Sequence, residues 1–190
     1  MIDQLLQYDQ ELFLFLNNLG TETWDGFWMT YTTKYYWAPF YTLLLYLLFK
    51  NYNKNAFLLI ILTTALLILF TDQVTNLFKH GFERYRPCHN EDINNLMRIV
   101  RPGCGGRFGF FSGHSSNSMA IAVFVGLLLS KKYKYLIFML LFWSALMGYS
   151  RIYVGVHYPL DVLCGMIFGA ISGFIFYKLG RYLIHRFTAS

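Results

Sequence analysis

Charged residues are scarce in this sequence. Of its 190 residues, 14% are Asp, Glu, Lys or Arg, whereas 56% are hydrophobic. An ordinary soluble domain contains about 25% charged and roughly 45–50% apolar residues. The shortage of charge therefore excludes an ordinary soluble protein and predicts a chain embedded in the lipid bilayer.

Cysteine is also rare, with three residues at positions 88, 104 and 164. This number is too small for a disulfide framework, and the spacing is not that of a zinc finger. No basic residue precedes Lys34, so the N-terminus lacks the charged region that begins a cleavable signal peptide. Because no linker of Ser, Gly and Pro and no repeat divides the chain, we expect residues 1–190 to form one domain.

Basic residues outnumber acidic residues and give a net charge of +6. A nucleic-acid-binding protein gathers such residues on one helix or one soluble patch, whereas here they are spread among short connections. We therefore expect no nucleic acid as a partner.

Five stretches are sufficiently apolar to cross a bilayer as helices, which requires roughly 20 residues each. They are residues 35–49, 56–78, 116–130, 135–149 and 159–184. Several are short, and we expect these helices to extend into the headgroup zone. The fold class predicted is all-α: an integral membrane helical bundle of about five to six transmembrane helices, with an additional N-terminal helix.

The N-terminal segment, residues 1–33, has its own pattern. Apolar residues recur at helical spacing: Ile2, Leu5, Leu6, Leu12, Phe13 and Leu16. The pattern predicts an amphipathic helix. It lies either in the membrane interface or against the bundle, as a soluble helix would.

Three basic connections, at residues 50–54, 131–134 and 178–186, lie on the same side of the predicted bundle. The positive-inside rule places that side in the cytoplasm. Residues 1–33 carry five acidic and no basic residues, which fits the outer side. The loop 79–111 also lies outside by parity, although it carries six basic and three acidic residues. We therefore expect this loop to bind anions.

Three polar motifs interrupt the apolar stretches: KHGFERYRP at 79–87, FSGHSSNS at 111–118 and SRIYVGVHYPLD at 150–161. Two spans separate the third motif from the other two, so all three lie at one membrane face. Arg and Lys side chains suit phosphate oxygens, and a helix that begins near Ser112 and Gly113 adds free N–H groups. Two histidines supply a nucleophile and a proton donor. Neither has the neighbours of a metal site, so we expect no metal and no cofactor.

Three spacings resemble the signature motifs of the type 2 phosphatidic acid phosphatase (PAP2) family, which also includes vanadium haloperoxidases: Lys79-x6-Arg86-Pro87, Ser112-Gly113-His114 and Ser150-Arg151-x5-His157-x3-Asp161. The resemblance covers residues 79–161 directly and implies a helical bundle. One position departs from the family pattern, because Phe111 stands where the second motif usually has proline.

The resemblance implies a role for each motif residue. His157 would attack phosphorus and form a phosphohistidine, while Asp161 would orient the ring. His114 would protonate the leaving group and then activate water. The phosphate oxygens would be held by Lys79, Arg86, Ser112, Gly113 and Arg151. From the spacing itself, Asp161 falls in the first turn of a helix that begins at Pro159, within reach of His157.

The function expected is metal-independent hydrolysis of a lipid phosphate in a bacterial inner membrane, with the site facing the periplasm or the outside. The candidate lipids are polyprenyl diphosphate, phosphatidylglycerol phosphate, phosphatidic acid and lipid A phosphate, of which polyprenyl diphosphate or a phosphorylated glycerolipid is preferred. A transporter of phosphate or lipid phosphate, and a catalytically silent lipid-binding protein, are the alternatives. A transporter would not need a histidine paired with Asp161, and the complete set of motif side chains argues against a silent protein.

Several polar residues fall outside the motif positions. We expect His80, His89 and His185 to be solvated. Four arginines of the loop, at 84, 98, 101 and 107, contact either a second phosphate or sugar, or lipid phosphates without specificity. Cys88 and Cys104 flank the loop between the first two motifs, and we predict a disulfide bond between them, with free thiols as the alternative.

Overall fold

The computed structural model describes residues 1–188 and confirms the predicted all-α fold. The described residues form seven α-helices: α1 (Ile2–Asn18), α2 (Glu22–Thr32), α3 (Ala38–Asn51), α4 (Lys54–Phe82), α5 (Gly113–Leu129), α6 (Leu136–Tyr153) and α7 (Pro159–Thr188). Two 3₁₀ turns, Lys34–Trp37 and Pro87–His89, precede α3 and follow α4.

Each of the five predicted spans coincides with one helix, from α3 to α7. Within residues 1–188, α4, α6 and α7 have the length and composition to cross a membrane, and α5 is a shorter apolar helix. The 14 residues of α3 span about 21 Å at 1.5 Å per residue, less than the roughly 30 Å of a bilayer core. The 3₁₀ turn Lys34–Trp37 lengthens that segment toward the headgroups.

The helix α5 occupies the centre of the bundle. It contacts α3, α4, α6 and α7, and most of its side chains are buried. Its residues after Ser118 are apolar or small on every face, which is the pattern of a helix surrounded by others. The N-terminus of α5 is therefore fixed by the whole bundle, and this end carries the second motif.

The helix α7 approaches α5 at backbone contact distance. Gly165, Gly169 and Gly173 recur at every fourth position of α7, and each faces a backbone oxygen of Ser112 or of α5. A Cβ atom at any of these positions would lie less than 3.0 Å from that oxygen. Small residues at this spacing are the usual means by which membrane helices pack closely.

The N-terminal helix α1 packs against the bundle through a narrow stripe. Asp9, Phe13 and Asn17 are buried at every fourth position, against α6 and α7. The aromatic side chains of Tyr8 and Phe15, which lie on another face, are more than half exposed. The packing of α1 on the bundle agrees with the second alternative from the sequence, and a position in the membrane interface remains a prediction for its exposed face.

The loop between α4 and α5 is ordered by a short pairing of its two ends. The Arg86 N–H donates to the Arg107 carbonyl at 3.2 Å, and the Gly109 N–H donates to the Arg84 carbonyl at 2.8 Å. Tyr85 and Phe108 lie opposite each other between these bonds. No pattern in the sequence predicts this pairing, which brings the first motif against the start of the second.

Candidate active site

A cavity of about 490 Å³ lies at the end of the bundle where α5 begins. This volume is within the range of small-molecule sites, roughly 300–1,000 Å³. The helices α3 to α6 line it, together with the loop after α4 and the turn before α7. The lining side chains are mostly polar: Lys34, Trp37, Tyr41, Asp72, Lys79, Arg86, Arg101, His114, Asn117, Ser118, Met147, Arg151 and His157, with Gly105 and Gly113.

Six of the predicted site residues line this cavity: Lys79, Arg86, Gly113, His114, Arg151 and His157. The three motifs therefore meet at one end of the bundle, as the number of spans between them predicts. The structure does not bring the other two, Ser112 and Asp161, to the cavity surface. Both are fully buried behind it.

His157 lies in the turn between α6 and α7 and is 2% exposed. Its Nδ1 is 3.4 Å from Asp161 Oδ2, which also accepts a bond from the Tyr158 N–H at 3.0 Å. Because Nδ1 faces the carboxylate, Nε2 is the nitrogen that remains to react. Burial lowers the pKa of His157 well below its usual value, and the cations of Arg86 and Arg151 lower it further. The ring is therefore neutral near pH 7, the form that has a nucleophilic nitrogen.

Arg151 is a buried cation in the last turn of α6, with 2% exposure. Its Nη1 donates to the Thr32 hydroxyl, whereas Nε has no hydrogen-bond partner among residues 1–188. None of the ion pairs in this part of the chain includes Arg151. A buried guanidinium is costly unless its charge is balanced, so this side of the cavity favours an anion.

Arg86 is held by carbonyl groups of the loop between α4 and α5. Its Nε donates to Phe108 O at 3.2 Å and its Nη1 to Cys104 O at 3.4 Å. Gly109 passes close by: a Cβ atom there would lie 3.1 Å from the Arg86 side chain and 3.2 Å from Asp161 Oδ2. The absence of a side chain at Gly109 therefore lets the loop run between the first and third motifs.

Ser112 caps α5 from inside the bundle. Its hydroxyl accepts from Ser115 N at 3.4 Å and from Ser115 Oγ at 3.0 Å, and its own N–H donates to Asp161 O at 2.9 Å. The sequence assigned this hydroxyl to phosphate, but its contacts are with its own helix, because Ser, Thr, Asp and Asn side chains preferentially satisfy the first N–H groups of a helix. Gly113 lines the cavity in its place. A direct contact between the Ser112 hydroxyl and phosphate remains a prediction.

Phe111, the residue that replaces the family's proline, is an aromatic anchor. It is 3% exposed, and its ring lies 5.1 Å from those of Phe78 and Phe168. It thus joins α4 to α7 just before α5 begins. Packing of this kind fixes the start of α5 without the rigid ring of proline.

The four loop arginines that the sequence left undecided have different partners. Arg98 pairs with Asp25 at 2.9 Å, and the Arg107 guanidinium lies 5.1 Å from the centre of the Tyr85 ring. Arg101 lines the cavity. Arg84 contacts two carboxylates instead of a ligand, as described below. One of the four is thus available to a head group in the cavity.

Sequence reasoning missed the other wall of the cavity. Asp72 accepts a hydrogen bond from the Asn117 amide at 2.7 Å, and both side chains line the cavity. Asp72 lies seven residues before Lys79 in α4, and among the described residues it forms no ion pair with Lys79. Trp37 and Tyr41 add aromatic surface. The sequence did not predict that these two aromatic residues line the cavity, because aromatic residues are common wherever a membrane protein meets the lipid–water interface.

Cys88 and Cys104 are brought together by the loop. Their sulfur atoms are in bonding contact and their Cα atoms are 6.0 Å apart, within the usual range of roughly 4.4–6.8 Å for a disulfide. Cys104 also supplies the carbonyl that holds Arg86. We propose that the two cysteines are bonded in the protein and that this bond helps to fix Arg86.

Comparison with known proteins identifies relatives that cover the whole chain. The chain is 37% identical over 191 residues to a lipid A 4′-phosphatase of Bacteroides thetaiotaomicron, covering 100% of this chain and 82% of that protein. It is 29% identical to an undecaprenyl-diphosphatase of Sulfolobus acidocaldarius, covering 91% and 79% of the two chains. The crystal structure of Aquifex aeolicus LpxE superposes with a TM-score of 0.66 at 28% identity, covering 88% of this chain and 93% of that one.

The sequence profile of the PAP2 superfamily matches residues 56–184. This range contains all three motifs and all six predicted residues that line the cavity. Five of the six lie at helix ends or turns, and the sixth, Arg86, lies on the loop between α4 and α5. The apolar helices place the protein in a membrane. The match covers more than half of the chain, so the chain belongs to the PAP2 superfamily and is an integral membrane lipid phosphatase.

Proposed function

We propose that this phosphatase acts through a covalent phosphohistidine on His157. The observation that carries the proposal is the contact of His157 Nδ1 with the buried carboxylate of Asp161 at 3.4 Å. In the first step Nε2 attacks phosphorus, and the bond between phosphorus and the lipid oxygen breaks. The leaving oxygen takes a proton from His114, which lies at the first turn of α5 and is exposed to the cavity.

In the second step water attacks the phosphohistidine. The neutral His114 takes a proton from this water, the bond between phosphorus and Nε2 breaks, and inorganic phosphate leaves with His157 neutral again. Three cations, Lys79, Arg86 and Arg151, line the same cavity and stabilise the charge on the phosphoryl oxygens in both steps. The chemistry is balanced without an added cofactor.

The preferred substrate is the phosphorylated sugar head group of lipid A. Full-length similarity to a lipid A 4′-phosphatase supports this choice. The cavity also has contact surface beyond what a phosphate group would occupy. Trp37 and Tyr41 provide aromatic surface, and Asp72 and Asn117 provide hydrogen-bonding groups. Aromatic faces next to a few polar groups suit a sugar ring.

A lipid diphosphate is the second candidate. Lys34 and Arg101 line the cavity in addition to the three motif cations. Five cations exceed the need of a single phosphoryl group, and a second phosphate would balance the remainder. The similarity to an undecaprenyl-diphosphatase supports the same alternative.

We further propose that the site faces the periplasm or the outside of a bacterial inner membrane. The basic connections at the opposite end of the bundle favour the cytoplasm for that end. At the cavity end, the acidic residues Asp9 and Asp25 pair with Arg84 and Arg98, which balances two of the loop's basic residues. The proximity of Cys88 and Cys104 is consistent with an oxidising compartment.

The test is phosphate release by the purified chain in detergent. The panel consists of lipid A, undecaprenyl diphosphate, phosphatidylglycerol phosphate and phosphatidic acid, each with and without EDTA. We expect the highest kcat/KM with lipid A and no effect of EDTA, and mass spectrometry identifies which lipid A phosphate is lost. A preference for undecaprenyl diphosphate would favour the second candidate, and turnover that requires a divalent ion would contradict the metal-free mechanism.

A further inference from the structure

A chain of buried charges joins the N-terminal helix to His157. Arg84 Nη2 contacts Asp9 Oδ2 at 2.6 Å, and Arg84 Nη1 contacts Asp161 Oδ1 at 2.8 Å. The other oxygen of Asp161 faces His157 Nδ1 at 3.4 Å. The side chains of Asp9 and Asp161 are 1% and 0% exposed, and that of Arg84 is 18% exposed. Arg84 therefore bridges two buried carboxylates with its two terminal nitrogens.

Asp9 holds a second element through its other oxygen. Asp9 Oδ1 accepts the Leu160 N–H at 2.8 Å, in the first turn of α7. The first N–H groups of a helix have no partner within the helix, so a carboxylate is favourable here. One side chain of α1 thus fixes both Arg84 and the N-terminus of α7, the turn in which Asp161 lies.

Aromatic contacts keep the same elements together. The Phe13 and Tyr158 rings meet edge to face with their centres 5.4 Å apart. The Arg84 guanidinium lies 4.2 Å from the centre of the Tyr158 ring, and the Tyr158 hydroxyl accepts a bond from Asn90 at 3.1 Å. Tyr158 directly follows His157. The residue next to His157 is therefore packed against both α1 and the loop between α4 and α5.

The arrangement has consequences for the carboxylate of Asp161. A buried carboxylate without a cationic partner takes up a proton or reorients. Arg84 supplies that partner on Oδ1 and leaves Oδ2 free to face the imidazole. An acceptor at Nδ1 keeps the proton on that nitrogen and leaves the lone pair on Nε2. Arg84 and Asp9 do not line the cavity, so they act on the reaction through Asp161.

We propose that Asp9 and Arg84 are positioning residues for His157, and that α1 is therefore part of the catalytic apparatus. Asp9 orients Arg84, Arg84 orients Asp161, and Asp161 orients the nucleophile. The inference rests on the proposed function, in which His157 attacks phosphorus. It goes further by giving the N-terminal helix a part in the rate of that step.

The test compares Asp9→Asn and Arg84→Gln with Asp25→Asn. Asp9→Asn keeps an oxygen for the Leu160 N–H and removes the charge that binds Arg84. Asp25→Asn is a matched control, because it breaks the other pair between an N-terminal carboxylate and a loop arginine, at 2.9 Å, with no connection to Asp161. Each protein is checked for folding by size exclusion and thermal melting, and its kcat and KM are measured on the best lipid of the panel.

We expect a loss of kcat of at least about tenfold in Asp9→Asn and Arg84→Gln, with KM within about twofold of the unchanged protein. Arg84→Lys should recover part of the loss, because a lysine contacts one carboxylate well but not both. Formation of the phosphoenzyme in a single turnover, trapped with radiolabelled substrate at alkaline pH, should slow by the same factor. Asp25→Asn should leave kcat within about twofold.

Three results would overturn the inference: normal kcat in folded Asp9→Asn and Arg84→Gln, an equal loss in Asp25→Asn, or a rise in KM at unchanged kcat. His157→Ala separates this failure from failure of the proposed function. If His157→Ala is inactive while the Asp9 and Arg84 variants are normal, the mechanism stands and the positioning role is lost. If His157→Ala retains activity, the proposed nucleophile is wrong.

Discussion

At the cavity end of the bundle, the basic residues Arg84 and Arg98 each contact a carboxylate from the N-terminal helices, whereas the lysines at the opposite end have no such partner. Lys131, Lys132 and Lys134 follow α5 at its far end, are exposed, and form no ion pair among residues 1–188. Both ends are rich in basic residues, but only at the cavity end do carboxylates hold basic side chains in place. Basic residues in a membrane protein can thus orient the chain in the membrane, or they can hold other side chains in position. A carboxylate partner indicates the second role.

The largest difference between the two ends should appear at their histidines. His157→Ala and His114→Ala should each lower kcat at least about 10²-fold, because they remove the proposed nucleophile or the proposed proton donor. His185→Ala, near the far end of α7, should leave kcat within about twofold. Phosphate release by folded, purified variants measures all three. Near-normal turnover in either cavity variant would remove that histidine from the mechanism.

The next effect concerns the space around the fixed cations. Gly109→Ala places a methyl group 3.1 Å from Arg86 and 3.2 Å from Asp161. Both groups must then shift, and we expect a loss of kcat of about tenfold, since small displacements of catalytic groups are costly. Gly106→Ala in the same loop is the control, because a Cβ atom there has no neighbour within 4 Å. Equal activity of the two variants would show that the loop adapts freely.

The sequence alone was sufficient to predict the spans and the meeting of three motifs. Apolar stretches define the helices, and the number of spans between motifs determines which membrane face they share. The pairing of His157 with Asp161 was also predictable, because a spacing of four residues at the start of a helix is a local geometric relation. These features depend on residues close in sequence, or on whether the number of spans between two motifs is even or odd.

The contacts of Arg84 were not predictable in the same way. Its partners, Asp9 and Asp161, are 75 and 77 residues away, and only the packing of α1 on the bundle brings them together. One signal was present, because Asp9 lies four residues before Phe13 on the face that packs inward. A carboxylate within such a stripe requires a buried partner. Likewise, the sequence predicts a helix that begins near Ser112, but not that the Ser112 hydroxyl accepts hydrogen bonds from Ser115 instead of facing the cavity.

A smaller effect is expected from the bond proposed between Cys88 and Cys104. Closing a loop of about 15 residues is worth on the order of 3 kcal/mol in the chain-entropy model. The Cys88→Ser, Cys104→Ser double variant should therefore melt at a lower temperature, with a modest loss of kcat through Arg86. Mass spectrometry after alkylation without reductant tests the bond directly. Free thiols that label as readily as in a reduced sample would contradict it.

The smallest effect should come from the unpaired lysines. Replacing Lys131, Lys132 and Lys134 together by glutamine should change kcat and KM by less than about twofold, since exposed charges without partners contribute little. The same change should weaken the preference for one orientation in the membrane, which protease accessibility in vesicles measures. A large loss of kcat in correctly oriented protein would mean that the far end of α5 is coupled to the cavity.

The three glycines along α7 have a consequence for how the enzyme moves. Because α5 and α7 meet backbone to backbone at Gly165, Gly169 and Gly173, neither helix can slide or swing against the other without losing that contact along its length. His114 lies in the first turn of one of these helices and His157 precedes the other, so the same contact restricts how far the two histidines can move apart. The cavity walls that lie outside this contact include the turn Lys34–Trp37 and the loop that carries Arg101, so we expect the adjustment to a lipid head group to occur there.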